Sequence, residues 1–194
     1  MNIFRAPFLF LMIRFHGRWT YILVLPLLAA LVMTGLVVWL GDKVSVLGPS
    51  GLFTKLLAIM PIAGGFFVAA LTVILSQSNS VLQAGFVGEN KPVLENDNET
   101  MTRQRFLALL FGYLSFSSFT IAGILAGTDF IAPAIKTLID PQPWLYIKVL
   151  TTFGVLFWTA QMFSCSMIGL FYLTDRLYRA TGVAKFKKDL PPTS

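Results

Sequence analysis

The chain has 194 residues, of which 56% are hydrophobic and only 12% are charged, and its formal net charge is +6. A soluble domain carries roughly 25% charged residues, because its surface must stay solvated. The composition therefore excludes a soluble globular protein. With one cysteine an intrachain disulfide is impossible, and one histidine with one cysteine is too few for the usual ligand set of a zinc site. We predict no metal and no cofactor.

The first eighteen residues form a short basic and apolar segment. Arg5, Arg14 and Arg18 frame the apolar run 8–13, and no small-residue cleavage site follows this run. A signal peptide would need such a site. We therefore predict a short helix lying in the cytoplasmic membrane interface, with its apolar side in lipid and its arginines near headgroups.

Four mainly apolar stretches are long enough to cross a bilayer, which needs about 20 apolar residues. The first begins at Trp19 and holds Trp39 near its end, as expected for aromatic residues at the two membrane interfaces. Pro61 predicts a bend in the second. The predicted spans are about 19–41, 52–76, 106–128 and 149–174. The predicted fold class is all-α, an integral membrane protein with a bundle of four transmembrane helices that forms one domain over 19–176.

The basic residues predict the orientation of the spans. The N-terminal segment, the central loop 77–105 and the segment that follows the fourth span, from residue 175 on, hold eleven of the fifteen Lys and Arg residues, and the connections 41–55 and 129–148 hold four. Short basic segments stay in the cytoplasm. We therefore predict a multi-pass protein of the cell membrane, as in a bacterial inner membrane, with both termini in the cytoplasm. This topology explains the net positive charge without a nucleic-acid partner.

The connection after the third span has a helical pattern of its own. Phe130, Ala134 and Leu138 recur at helical spacing within 129–148, which predicts a short interfacial helix. The run 140–143 (Asp-Pro-Gln-Pro) should then stop that helix.

Small residues predict close helix packing in the second and third spans. In an apolar helix such residues let two backbones approach, so that van der Waals contacts form. The pattern predicts helix packing, and an oligomer, through Gly65 and Ala69 on the second span and through Ser118, Ala122, Gly123, Ala126 and Gly127 on the third.

The residues needed for catalysis or ion coupling are missing from the spans. His16, the one candidate base, precedes the first span, and Cys165 lies in the middle of the fourth, where burial disfavours a thiolate. The interiors of the spans carry no charged residue and no histidine, whereas ion-coupled transport normally needs an ionisable group in the membrane. We predict that the chain is not an enzyme and has no catalytic residue.

The central loop is the segment that best suits a soluble partner. Glu89, Glu95, Asp97 and Glu99 make it acidic, so an anionic cytoplasmic leaflet should repel it. Apolar residues on both sides of the cluster provide contact points. The leading hypothesis is a non-enzymatic, oligomeric membrane scaffold or anchor that binds a cytoplasmic protein through this loop.

Two alternatives remain from other classes. The fourth span carries Gln161 and Ser164 on one face, which predicts the lining of an oligomeric ion channel or a membrane-depolarising effector. In size and layout the chain is similar to several classes of small bacterial membrane protein, including membrane subunits of phage-defence operons. A small-molecule transporter or a lipid-modifying membrane enzyme is the weakest alternative, because no residue supplies a base.

Overall fold

The computed structural model describes residues 7–14, 19–77, 80–83, 85, 93–94, 101–138 and 141–176. Within these ranges four helices are long and apolar enough to cross a membrane: Thr20–Leu40, Leu52–Ser76, Arg103–Leu138 and Pro143–Thr174. The described chain is otherwise made of short helices, turns, one two-residue ladder and one isolated bridge. An all-helical fold with four candidate transmembrane helices is thus confirmed.

The α-helices in chain order are α1 (Leu25–Leu40), α2 (Leu52–Ser76), α3 (Ser80–Gln83), α4 (Arg103–Leu138) and α5 (Pro141–Phe171). π-helical turns extend two of them, Thr20–Val24 before α1 and Tyr172–Arg176 after α5. Single 3₁₀ segments cover Pro7–Met12 and Gly41–Lys43. The strands are β1 (Ile13–Arg14) and β2 (Val93–Leu94).

The first two spans have the predicted bounds to within a residue, but the last two are longer than predicted. Helix α4 continues past Thr128 to Leu138 as one helix, so the predicted interfacial helix is the end of α4 and not a separate element. The hydroxyl of Thr128 bonds back to the Ile124 carbonyl, and Pro133 is accommodated inside the helix. Helix α2 likewise continues through Pro61, and the bend expected there stays a prediction.

The four long helices pack side by side in the order α1, α5, α4, α2. Consecutive helices α1 and α2 have no substantial contact with each other among the described residues. Helix α1 contacts α5 along one stripe of residues four apart: Ile22, Pro26, Ala30 and Thr34. The α4–α5 hairpin therefore forms the centre of the bundle, and α1 and α2 flank it.

One end of the bundle, which we call the ladder end, holds the β1–β2 pair. Ile13 pairs with Leu94 and Arg14 with Val93, in antiparallel register. Phe10 is fully buried nearby, with its ring 6.0 Å from that of Phe106 and 5.7 Å from that of Tyr113, both on α4. The described part of the N-terminal segment thus packs against protein, where we predicted an apolar side in lipid.

The ends of α2 and α4 are capped at the ladder end. Gln104 donates hydrogen bonds from Nε2 to the carbonyls of Ile74 and Gln77, at 2.9 and 3.3 Å. Carbonyls at the C-terminal end of a helix have no N–H donor within the helix, so Gln104 satisfies them. The Thr102 hydroxyl accepts the N–H of Arg105 at 3.2 Å and thereby N-caps α4.

The connection 41–51 folds back on α2 at the opposite end, which we call the crevice end. The N–H groups of Leu52 and Phe53 donate to the carbonyls of Ser45 and Val46, at 3.1 and 3.0 Å. These bonds satisfy donors in the first turn of α2 that have no partner within the helix. Val46 is buried, so the connection forms part of the core instead of standing in solvent.

Candidate functional site

Three polar side chains in the bundle form hydrogen bonds between helices. The Tyr113 hydroxyl on α4 donates to Oε1 of Gln161 on α5, at 3.2 Å. The Ser118 hydroxyl on α4 donates to the Met60 carbonyl of α2. Such bonds are each worth about 0.6 kcal/mol on average in a membrane bundle, so their main effect is to fix the register of neighbouring helices.

Ser164 has a more specific contact, with the π-helical turn before α1. Its hydroxyl donates a 2.5 Å hydrogen bond to the carbonyl of Tyr21. In a π-turn the N–H of each residue reaches back five positions, and that of Leu25 donates to the Thr20 carbonyl. The next donor in this register would be residue 26, but Pro26 has no N–H. Ser164 therefore provides the donor that Pro26 cannot.

These contacts bear on the two residues predicted to line a pore. Gln161 is half-buried and Ser164 is buried, and each bonds to another helix of the same chain. Within one chain they hold helices together. A pore between several copies stays a prediction.

The small residues predicted for packing on α2 lie on its outward face. Gly65 and Ala69 are exposed, and a Cβ built on Gly65 meets no atom within 4 Å. The contact with α4 uses the preceding residue instead. A Cβ on Gly64 would lie 3.0–3.2 Å from the Phe119 ring, so Gly64 makes room for this ring of α4.

The small residues of α4 divide between two faces. Ser118 and Ala122 are buried in the bundle, whereas Gly123 and Ala126 are exposed. Gly127 is half-buried and has no neighbour within 4 Å of an added Cβ. The spacing in the sequence had suggested that all five residues pack against other helices. The positions of the neighbouring helices show that only some of them face the interior of the bundle.

The acidic residues predicted to bind a partner, Glu89, Glu95, Asp97 and Glu99, lie outside the described residues, as does His16. The described part of their loop includes Val93–Leu94, which pairs with the N-terminal segment. This pairing brings Val93–Leu94 to the same end of the bundle as Ile13–Arg14.

No group of three or more His, Cys, Asp or Glu side chains that could hold a metal ion occurs within the described ranges. Cys165 is buried on α5 as a free thiol. The buried hydroxyls of Ser118 and Ser164 both donate to backbone carbonyls.

A feature that sequence analysis missed is a crevice at the crevice end, formed by the last part of α4, the first part of α5 and the connection 41–51. Its inner part is an apolar cavity of about 350 Å³. A second space of about 400 Å³ adjoins it and shares Val46, Ala132, Trp144 and Lys148 with it. Asp129 and Lys136 also line this outer part, which we call the mouth.

The residues of the crevice follow from helical spacing. Ile124, Thr128, Ile131 and Ile135 are three or four positions apart, so they form one wall from α4. Trp144, Lys148 and Thr151 form the facing wall from α5 in the same way. The stripe noted in the sequence, Phe130, Ala134 and Leu138, lies on another, exposed face of α4, so it did not reveal the crevice.

The fold defines a class of protein, a bundle of four apolar helices, which suggests a membrane-embedded protein. Most of the interior polar contacts described above join neighbouring helices. Comparison of the chain with protein-family models, with curated proteins and with solved structures finds no match.

Proposed function

We propose that the protein is a non-enzymatic membrane scaffold that associates with a second copy through α2 and binds a cytoplasmic protein through the loop 77–105. The observation that carries the self-association is the outward position of Gly65 and Ala69 on a flanking helix. We further propose that both termini and this loop lie in the cytoplasm and that the membrane is a bacterial inner membrane, as the basic residues predict.

The outward face of α2 has the relief expected for close helix pairing. Ile62 and Phe66 project from this face and are 74% and 69% exposed. Gly65 and Ala69 lie beside them and are also exposed, and their small size leaves a shallow groove there. A glycine facing lipid forms few contacts and weakens the helix, whereas against a second backbone it permits close packing. Within the chain Gly64 packs against the Phe119 ring of α4, whereas a Cβ on Gly65 would meet no atom within 4 Å, which leaves room for a second copy.

Replacing Gly65 and Ala69 together with isoleucine should weaken self-association by roughly tenfold or more, equivalent to about 1.4 kcal/mol. The branched side chains would fill the groove and keep the second backbone away. The measurement is the monomer–oligomer equilibrium in detergent, by analytical ultracentrifugation over a range of protein-to-detergent ratios.

Ala29→Ile provides the matched control, because Ala29 is an exposed alanine on the other flanking helix. It should leave the equilibrium unchanged. A wild-type protein that is monomeric at every ratio, or a Gly65/Ala69 variant that behaves like the control, would contradict the role of this face.

Reversing the charge of Glu95, Asp97 and Glu99 to lysine should abolish recovery of the cytoplasmic partner when the protein is purified from its native membrane. The acidic side chains are expected to attract a basic surface on that partner. The measurement is quantitative mass spectrometry of co-purified proteins, with Asp42→Lys, in the connection on the other predicted side, as control. Equal recovery from the wild type and the loop variant would remove the loop from the proposal.

A further inference from the structure

We propose that the crevice between α4, α5 and the connection 41–51 is a binding site for a fatty acid, with the hydrocarbon chain in the inner cavity and the carboxylate between Lys136 and Lys148. The inference concerns the crevice end of the bundle and does not depend on the scaffold function.

The inner cavity has the size and lining of a small-molecule site. Its volume of about 350 Å³ falls within the range of about 300–1,000 Å³ that such sites have. Isoleucines at positions 124, 131 and 135 line the side formed by α4, and Phe53 contributes from α2. A hydrocarbon chain placed there would leave water and contact apolar groups on several sides.

The mouth selects for a negative charge at one end of the ligand. Lys136 and Lys148 both line it, against the single carboxylate of Asp129. Lys148 lines the inner cavity as well as the mouth. An anionic headgroup placed where the two parts meet would be attracted by the positive charges of the two lysines.

The connection 41–51 covers one side of the crevice, and this favours a ligand with one hydrocarbon chain over a phospholipid with two. Val46 and Leu47 line both parts of the crevice, so the connection covers it from the side of the α2 start. Gly51 holds the connection against α2, because the carbonyl oxygen of Val46 lies only 2.6 Å from where its Cβ would be. The cavity therefore has fixed walls on three sides, and its volume suits one hydrocarbon chain.

The test uses lauric acid carrying a photoreactive diazirine near its methyl end, added to the full-length protein in nanodiscs of zwitterionic lipid. After illumination, peptide mass spectrometry locates the label. The expected result is labelling within 124–135 or 147–152. Excess unlabelled laurate should remove this labelling. Excess dodecyltrimethylammonium, which has the same hydrocarbon chain but a positive headgroup, should not remove it. Lys136→Gln combined with Lys148→Gln should reduce the labelling at least fivefold.

Two variants separate loss of the site from loss of the fold. Replacing both lysines with arginine should retain the labelling, and Lys43→Gln, an exposed lysine of the same end, should leave it unchanged. Labelling spread over the lipid-facing helices, or equal competition by the cationic amphiphile, would overturn the proposal. Labelling abolished by including phosphatidylglycerol in the nanodisc would assign the crevice to a phospholipid and would overturn the fatty acid.

Discussion

Replacing Gly51 with alanine is expected to lower the free energy of unfolding by about 1–3 kcal/mol, the usual effect of inserting an atom into a packed site. An added Cβ would lie 2.6 Å from the Val46 carbonyl oxygen and 2.8 Å from the Leu47 carbonyl carbon. Both atoms belong to the backbone and cannot rotate away, so the connection 41–51 must move as a unit. Equilibrium unfolding in mixed micelles, followed by circular dichroism, measures the change.

Gly35→Ala provides the control for the glycine substitution. Gly35 lies inside α1, and its added Cβ meets nothing within 4 Å. Alanine is favoured over glycine within a helix by roughly 0.5–1 kcal/mol, so this variant should be as stable as the wild type or slightly more stable. If Gly51→Ala and Gly35→Ala unfold at the same denaturant concentration, the close approach at Gly51 has no energetic importance.

Replacing Ser164 with alanine should destabilise the protein by about 1–2 kcal/mol, because it removes the side-chain donor of the part-buried hydrogen bond to the Tyr21 carbonyl. The same substitution in a Pro26→Ala background should have a much smaller effect. An alanine at position 26 regains the N–H that proline lacks, so the turn before α1 can satisfy the carbonyl by itself. The measurement is a double-mutant cycle of unfolding free energies.

The cycle should give an interaction energy of about 1 kcal/mol between positions 26 and 164. Ser166→Ala, also on α5 and half-buried, is the matched control and should show no such coupling to Pro26→Ala. Effects of Ser164→Ala that are the same in both backgrounds would show that the serine contributes packing alone.

The sequence predicts the first two spans almost to the residue, because glycines, prolines and charges surround them in short connections. The end of α4 was predicted less well. The sequence predicted a separate interfacial helix after the third span, yet one helix can carry charged side chains such as those of Asp129 and Lys136 while its backbone bonds continue. Only the facing residues of α5 and of the connection show that this stretch forms a wall of a crevice.

The contacts between helices were beyond sequence reasoning for a different reason. Periodicity gives the face on which a residue lies, but not the helix that it meets. Ser164 and Tyr21 are 143 positions apart. A proline such as Pro26 shows in the sequence that an N–H is missing, but not which side chain replaces it. Gly64 and Gly65 are adjacent and identical in type, and only the position of Phe119 decides which of them faces the bundle.

The order of the helices has a consequence for the growing chain. The first two long helices to be synthesised, α1 and α2, do not pack on each other and find their neighbours only in α5 and α4. Every substantial contact among the four therefore waits for the second half of the polypeptide. Helix α2 can dock as soon as α4 appears, whereas α1, the first helix made, must wait for the last.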